Sequence, residues 1–404
     1  MNRPIRTLLF STLYPSEVRP THGIFVETRL RELLKSGAVE TRVVAPVPWF
    51  PSTAARFGEW ARIAATPAHE RRNGIEVLHP RYVLPPKVGM NVAPLTLALG
   101  ARSTVAKLIR DGFDFDLIDA HYYYPDGVAA ALLSKWFRKP FVVTARGTDL
   151  NLIPAYALPR RMIRWTAQRA SGSIGVCAAL MDVLRDLGAD PARLHVMRNG
   201  VDLVRFAPRS QETCRARLGL PVASRILLSV GHLVERKGHH LAIEALDSLP
   251  DVHLVIVGDG EERARLQQLA AQPGRAGRVH FAGARPNAEL ADWYSAADAL
   301  ILASSREGWA NVLLESMACG TPVVATNIWG TPEVVAAPEA GELVQARDAA
   351  SIALGVSRLF ARYPDRAAVR RYAEGFGWDP TSQAQLSLFS RVAGFSGPGG
   401  ASHA

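Results

Sequence analysis

Ser304-Ser305-Arg306-Glu307-Gly308-Trp309-Ala310-Asn311-Val312-Leu313-Leu314-Glu315-Ser316-Met317-Ala318-Cys319-Gly320 is the stretch on which the fold turns. The apolar run Ala299-Leu300-Ile301-Leu302 before it reads as a buried parallel strand. A polar turn follows, then a helix expected from about Asn311 to Ala318 and stopped by Gly320. A strand, a loop and a helix N-terminus in that order leave free backbone N–H groups, a natural seat for an anion such as phosphate. Glu307 lies on the loop and Glu315 about one turn inside the helix. Two carboxylates beside an anion seat suit a ligand with both phosphate and hydroxyl groups, as a nucleotide sugar has. The plainer alternative is that Glu307 is a dipole partner and Glu315 a solvated side chain.

At 404 residues the chain is long enough for two domains, each with its own core. With 48% hydrophobic and 21% charged residues it reads as globular. No apolar run approaches the roughly 20 residues needed to span a bilayer. The opening Thr7-Leu8-Leu9-Phe10-Ser11-Thr12-Leu13 lacks a small-residue cleavage pattern and runs into Tyr14-Pro15, so it reads as a first strand and not a signal peptide. Cys177, Cys214 and Cys319 stand far apart, without metal-ligand spacing and in odd number. No metal site and no disulfide framework is expected, and a reducing cytoplasm fits.

The charge is lopsided. Residues 1–205 hold 28 Lys and Arg against 17 Asp and Glu, or +11, which leaves −1 of the total +10 for the remainder. Only the first half is expected to meet an anionic partner: nucleic acid, an anionic lipid surface or a phosphorylated acceptor. A proteome rich in arginine would give the same count with no partner at all.

Strands are expected over residues 6–11, 41–45, 75–78, 116–120, 141–144, 173–176 and 194–197. Helices fall between them, as at 26–35, 94–111 and 127–137. The stretch 201–221 breaks the pattern and reads as a linker. A second series follows, with strands over 226–230, 253–257, 279–281, 299–302 and 322–325, and helices over 238–249, 261–271, 287–295, 311–318 and 349–363. Alternation of this kind implies two parallel, doubly wound, Rossmann-like sheets, whose ligands bind beyond the carboxyl ends of the strands. The tail 394–404 is rich in Gly and Ser and is expected to be disordered.

Other segments at expected strand ends carry candidate chemistry. Ser229-Val230-Gly231-His232-Leu233-Val234-Glu235-Arg236-Lys237-Gly238 places Gly231 where backbone can approach a ligand. It also places Lys237 at a helix start, where a cation is unfavourable unless an anion is shared. Val257-Gly258-Asp259-Gly260-Glu261-Glu262-Arg263 has Arg263 where a dinucleotide fingerprint needs its third Gly, so it does not read as an NAD site. His121 ends a strand beside Tyr122, Tyr123 and Tyr124. Asp149, in Thr144-Ala145-Arg146-Gly147-Thr148-Asp149, could bond sugar hydroxyls or cap the next helix. Gly23, in His22-Gly23-Ile24-Phe25, opens the first helix as a phosphate contact or a plain turn. Residues 159–169 read as a basic helix with an apolar stripe, and 49–62 as an aromatic-rich loop; both are candidates for a membrane surface or for core packing.

The Glu307–Gly320 stretch resembles the E-x7-E signature of retaining glycosyltransferases of family four (glycosyl transferases group 1). Further likenesses run from Gly23 to Trp378. Residues 231–238 resemble "G-R-L-x-x-x-K-G", with His232 where the family has Arg and Arg236 as a candidate substitute. Gly258 matches the "V-G-x-G" turn on the nucleotide side. Gly283 lies where backbone meets the nucleobase. Asn199-Gly200-Val201-Asp202 with Phe206 and Pro208 matches a hinge motif. Arg146, in place of the family's "H-G-x-D" His, resembles the subgroup acting on exopolysaccharides and teichuronic-acid-type polymers.

This resemblance implies the GT-B fold, α/β with two Rossmann-like domains facing across a cleft. Residues 1–205 would form an acceptor-side domain completed by a terminal helix, 376–393, and 206–375 the donor-binding domain. It also implies metal-independent, retaining transfer from a UDP- or GDP-sugar to a saccharide or lipid-linked acceptor, in bacterial cell-surface polysaccharide synthesis. Glu307 would bond sugar hydroxyls and Glu315 the ribose. The N–H groups of Gly308, Trp309, Ala310, Asn311 and Val312 would hold the donor, and Lys237 would stabilise the departing diphosphate. His121, Arg146 and Asp149 would lie toward the acceptor. The expected place is the cytoplasm, with the basic first half a candidate for contact with the anionic inner membrane. A nucleotide-sugar 2-epimerase on the same architecture and a non-catalytic nucleic-acid-binding protein are the alternatives.

Overall fold

The structure, a computed structural model, describes residues 3–395. The chain divides into two compact units: one runs to Arg198 and resumes at Asp379, and the other is Asn199–Trp378. The +11 charge stays with the first unit, since residues 199–205 and 376–404 contribute two basic and two acidic residues.

The first unit contains β1 (Ile5–Phe10), β2 (Val39–Val44), β3 (Val47–Pro48), β4 (His69–Arg72), β5 (Ile75–Leu78), β6 (Arg81–Tyr82), β7 (Leu117–His121), β8 (Phe141–Ala145), β9 (Gly172–Gly175) and β10 (Leu194–Val196). Eight of these form one sheet in the order β10-β9-β8-β7-β1-β2-β5-β4. Its pairings are parallel except β4 with β5. β7 and β8 are buried along their whole length, as strands covered on both faces must be. The order reverses between β1 and β7, so the crevice of this sheet opens beyond their carboxyl ends.

One core cluster joins Ile5, Leu117, Val142 and Ile174 to Leu388 and Phe389 of the helix Trp378–Val392. A second joins Leu9, Val43 and Val77 to Val26 and Leu30 of the helix Ile24–Leu34. Arg29, on that helix, is buried; its Nε donates to Gln385 Oε1 (2.8 Å) and its Nη1 to the carbonyl of Met197 (3.0 Å). Burial pushes its guanidinium down to about 10, opposed by the charge of Asp119.

Three expectations need correction. The stretch 201–221 is part of the second unit and holds the helix Gln211–Leu218, capped by Ser210 Oγ accepting from Thr213 N (3.3 Å). Arg215 on that helix is buried, bonded to the carbonyl of Ala296 and to Asp298, which a polar-looking segment hides. Of the tail, Gly394 and Phe395 are ordered: Phe395 packs on the first core cluster under the Arg3 guanidinium, 5.2 Å from its ring. The other tail residues lie outside the described residues. Among the described residues one helix, Gly89–Arg110, has the length and apolarity to cross a membrane. One face of it, with Leu97, Ala98, Ala101 and Val105, is fully buried in the first unit, while Leu95 and Leu99 are exposed.

The second unit contains β11 (Arg225–Val230), β12 (Val252–Val257), β13 (Val279–Gly283), β14 (Ala299–Leu302), β15 (Val323–Thr326) and β16 (Gly341–Val344). All are parallel, in the order β13-β12-β11-β14-β15-β16. Counted within the unit this is 3-2-1-4-5-6, a doubly wound Rossmann-like sheet whose order reverses between β11 and β14. The loops after these two strands are the ones that carry Lys237 and Glu307.

Candidate active site

Lys237 and Glu307 meet at that reversal. Lys237 ends the short turn Glu235–Lys237 after β11, and Glu307 lies on the loop after β14. Lys237 Nζ donates to Glu307 Oε1 at 2.6 Å, and Ser304 Oγ donates to the same oxygen at 2.7 Å. Glu307 is nearly buried, so its charge is held by donors more than by water. Arg236 lies alongside, with Nη1 donating to the carbonyl of Arg306 (3.0 Å) and standing 3.9 Å from Glu307 Oε1. The site thus concentrates two cations and one carboxylate at one strand switch.

The helix Asn311–Ala318 begins just after, with Ala310 at the N-cap and no side chain capping it. Leu313 N donates to the carbonyl of Ala310 (3.0 Å), and the N–H groups of Asn311 and Val312 ahead of it have no acceptor within the helix, which suits an anion. Gly308 is buried, and so is Trp309, whose ring lies 6.3 Å from Phe376. Asn311 Oδ1 accepts from Asn199 Nδ2 (3.3 Å), and Val312 is half-buried. Glu315, half-buried on the helix, accepts from the Tyr294 hydroxyl at 2.7 Å. Burial raises its carboxyl above the ordinary range, against the lowering effect of Tyr294 and Arg205.

The glycines of the segments after β11, β12 and β13 are knitted together. Gly231 N donates to the carbonyl of Val257 (3.0 Å), and Gly258 N to that of Gly283 (2.9 Å). A Cβ on Gly258, at φ 153°, would stand 1.9 Å from the Gly231 carbonyl oxygen, so backbone packing alone demands glycine there. His232 is exposed, and what it supplies internally is its carbonyl. That carbonyl accepts from Nε2 of His239 (3.3 Å), a buried residue the sequence reading passed over.

A carbonyl can only accept, so His239 carries its proton on Nε2 and takes the Ser229 hydroxyl on Nδ1 (2.8 Å). Burial pushes this imidazole down to about 4. A folded value below the ordinary 6.5 means the unfolded chain takes up the proton first. The stability this contributes is complete above about pH 6.5 and is lost as the pH falls toward 4. Asp126, Asp149 and Glu315, raised by burial, act in the opposite sense. The test is therefore a difference: in urea unfolding across pH 4–6.5, His239→Gln is expected to lose less stability on acidification than the wild type. Equal slopes would refute the assignment.

In the first unit, His121 ends β7 fully buried. Arg146, a donor only, bonds its Nδ1, so Nε2 carries the proton and donates to Asp119 Oδ2 at 3.1 Å. Burial pushes His121 down to about 4 and Arg146 down to about 9. The Arg146 guanidinium also stands 5.5 Å from the centre of the Phe25 ring. Asp149 is spent on the backbone, accepting from Tyr123 N (2.6 Å), Gly147 N (2.7 Å) and Arg146 N (3.1 Å). It lies inside the short helix Thr148–Asn151, which has no side-chain cap, and these bonds fix the backbone of Arg146 and Gly147. Gly23 stands at φ 68° with the backbone of Leu13 where a Cβ would be, at 2.3 Å; its close approach is to the chain itself.

Asp119 and Asp126 were not singled out from the sequence. The signal for Asp119 was a charge within Leu117-Ile118-Asp119-Ala120, a strand otherwise fit for burial on both faces. Asp126, in Tyr124-Pro125-Asp126-Gly127, looks like an ordinary turn residue. It is buried, accepts from Thr12 N (2.8 Å) and Thr12 Oγ1 (2.9 Å), and is pushed up to about 8 by burial.

The basic helix is Ala157–Ala167, and its stripe is core: Ile163 is fully buried. Arg160, Arg161 and Arg164 are exposed and line a cavity of about 330 Å³ with Asp186, Leu187 and Gly188. Tyr156 and Leu158 are exposed on the same segment, as are Trp49, Phe57 and Trp60 on the aromatic loop.

Residues 210–376 match the family model described as glycosyl transferases group 1, and 61–205 match that described as glycosyltransferase family 4. The chain is 32% identical over 336 residues to the putative teichuronic acid biosynthesis glycosyltransferase TuaC of Bacillus subtilis, covering 81% of this chain and 82% of that protein. It is 32% identical over 302 residues to a D-inositol 3-phosphate glycosyltransferase of Xylanimonas cellulosilytica, covering 69% and 72%. Among solved structures it superposes on a sucrose-phosphate synthase from Thermosynechococcus elongatus with a TM-score of 0.75 at 20% identity, covering 96% and 99%. It superposes on Anabaena Alr3699/HepE in complex with UDP-glucose with a TM-score of 0.68 at 20% identity, covering 95% and 98%. At those identities the structural likeness concerns the fold.

Proposed function

Since the chain belongs to the glycosyl transferases of group 1, family four, and is a glycosyltransferase of GT-B type, we propose that it moves a sugar, with retention and without a metal, from a UDP- or GDP-sugar to a saccharide or lipid-linked acceptor of a bacterial cell-surface polysaccharide. The observation that carries this reading is the convergence of Lys237, Arg236 and Glu307 beside the uncapped start of the helix Asn311–Ala318. In the proposed reaction the donor's diphosphate lies on the helix N–H groups, and Glu315 takes ribose hydroxyls. Glu307 takes hydroxyls of the sugar. The bond from the anomeric carbon to the diphosphate oxygen breaks, and the acceptor hydroxyl bonds to that carbon on the same face. The acceptor's proton passes to the departing phosphate. Lys237, with Arg236, neutralises the charge that grows on that oxygen, the electrostatic part of the catalysis.

His121, Arg146 and Asp149 are proposed on the acceptor side, where Arg146 would meet an anionic acceptor. The +11 first unit, with Arg160, Arg161 and Arg164 beside exposed Tyr156 and Leu158, supports working at the cytoplasmic face of an anionic inner membrane. The relative named for teichuronic acid biosynthesis supports an anionic polymer as the product.

A melting assay against a panel of UDP- and GDP-sugars tests the donor. Saturation at about 100 times Kd is expected to add roughly 2.7 kcal/mol of apparent stability for the true donor. A panel in which no nucleotide sugar shifts the transition sinks the proposal. Recovery of an epimerised donor in the absence of any acceptor would replace transfer by epimerisation.

A further inference from the structure

We infer that Trp329 packs its indole against the sugar carried by the donor and so sets which sugar is accepted; this rests on the glycosyl-transfer reading above. Trp329 lies in the loop after β15, in Asn327-Ile328-Trp329-Gly330-Thr331, and its φ is 47°. That is the left-handed region, which a residue with a bulky side chain enters only under strain and glycine enters readily. The loop is pinned on both sides of it. Asn327 N donates to the carbonyl of Val344 (2.9 Å), Ile328 N to that of Thr326 (2.9 Å) and Thr331 N to that of Ile328 (2.9 Å). The strained conformation is therefore imposed by its surroundings, as strain retained at functional sites is.

Nothing polar or aromatic repays it internally. Among the described residues the half-buried indole has no hydrogen-bond, ring-stacking or cation–π partner. Its placement supplies the reason. β15 pairs with β14 in parallel, Leu302 opposite Ala325. One residue on, Thr326 Oγ1 donates to the carbonyl of Ser304 (2.8 Å), and Ser304 Oγ holds Glu307. The Trp329 loop thus springs from the residue that braces the Glu307 loop. It lies on the β14–β15 side of the switch, whereas Gly258 and Gly283 lie on the β12–β13 side assigned to the nucleotide. A flat, rigid aromatic side chain on the loop next to the one that carries Glu307 fits the apolar C–H face of a pyranose whose hydroxyls Glu307 takes.

The test measures Kd by calorimetry for UDP-glucose, UDP-galactose and GDP-mannose, each against its free nucleoside diphosphate. For the best donor, Trp329→Gly is expected to lower the affinity gained from the sugar roughly tenfold, with Trp329→Phe keeping most of it. Relief of the left-handed backbone and loss of the half-buried indole oppose each other, so the melting temperature of the glycine variant should stay within about 4 °C of the wild type. A structural tryptophan would lower the melting temperature further and leave the sugar's contribution unchanged, and that result overturns the inference alone. Wild-type protein that binds none of these nucleotides overturns it together with the reading on which it rests.

Discussion

Lys237→Ala is expected to lower the rate of sugar transfer by roughly a thousandfold, the scale on which removal of one preorganised charge partner acts. The reasoning starts from position. Lys237 stands on the turn after the first strand of its sheet, where the strand order reverses, 2.6 Å from a carboxylate that Ser304 also holds. A cation fixed this way needs no reorganisation when negative charge grows nearby. Its removal also takes from Glu307, 9% exposed, the nearer of its two cations, with Arg236 left at 3.9 Å, so some stability is lost as well. Glu307→Gln separates the two effects: it keeps an acceptor for Lys237 but removes the charge proposed to hold the sugar hydroxyls. We expect a loss of at least a hundredfold from Glu307→Gln, and a double variant Lys237→Ala/Glu307→Gln that unfolds at higher urea than Lys237→Ala. Initial rates with the identified donor decide the point; transfer within tenfold of wild type in both single variants would remove these residues from the mechanism.

Arg29→Met is expected to cost about 3–5 kcal/mol of stability in the first unit. The methionine matches much of the stem but none of the charge. Gln385 Oε1 and the Met197 carbonyl would lose their donors in a buried place, and Asp119 would lose a nearby cation. Because one of those partners sits on the terminal helix, the damage should be local in its first appearance. Proteolysis is expected to cut between Trp378 and Val392 before the sheet unfolds. An unfolding midpoint in urea indistinguishable from wild type would show that the buried guanidinium contributes nothing net.

What could be read in advance followed the physics of each segment. Ala299–Leu302 announces itself as a strand because a parallel sheet buries both faces and leaves an apolar run, and Ile75–Leu78 because buried apolar residues alternate with half-buried ones. His69–Arg72 does not, because a charged antiparallel edge strand carries no such run. Gly341–Val344, opened by a glycine and only half-buried, is hidden in the same way. Strand-end position and helix polarity marked Glu307, Glu315 and Lys237 as candidates, and the roles proposed for them come from the resemblance of their motifs. Their pairing could not be read, since an ion pair across 70 residues depends on which strands become neighbours. The same holds for His121 and Arg146, 25 residues apart, whose contact fixes the tautomer of the histidine. Asp149 was ambiguous between ligand and cap, and only the three amide donors converging on it resolve the local geometry.

The return of the chain to its first unit at Asp379 has a consequence for biosynthesis. Asn199–Trp378 is one continuous segment, and its ends adjoin, with Val201 N bonded to the carbonyl of Phe376 at 2.9 Å. Once residue 378 has left the ribosome, that segment holds every strand of its own sheet and can close its core. The earlier-made unit cannot, because Leu388 and Phe389 complete its cluster and Gln385 its bond to Arg29. The part translated first is therefore finished last, and through the synthesis of some 180 residues its sheet waits with an uncovered apolar patch for chaperones to shield.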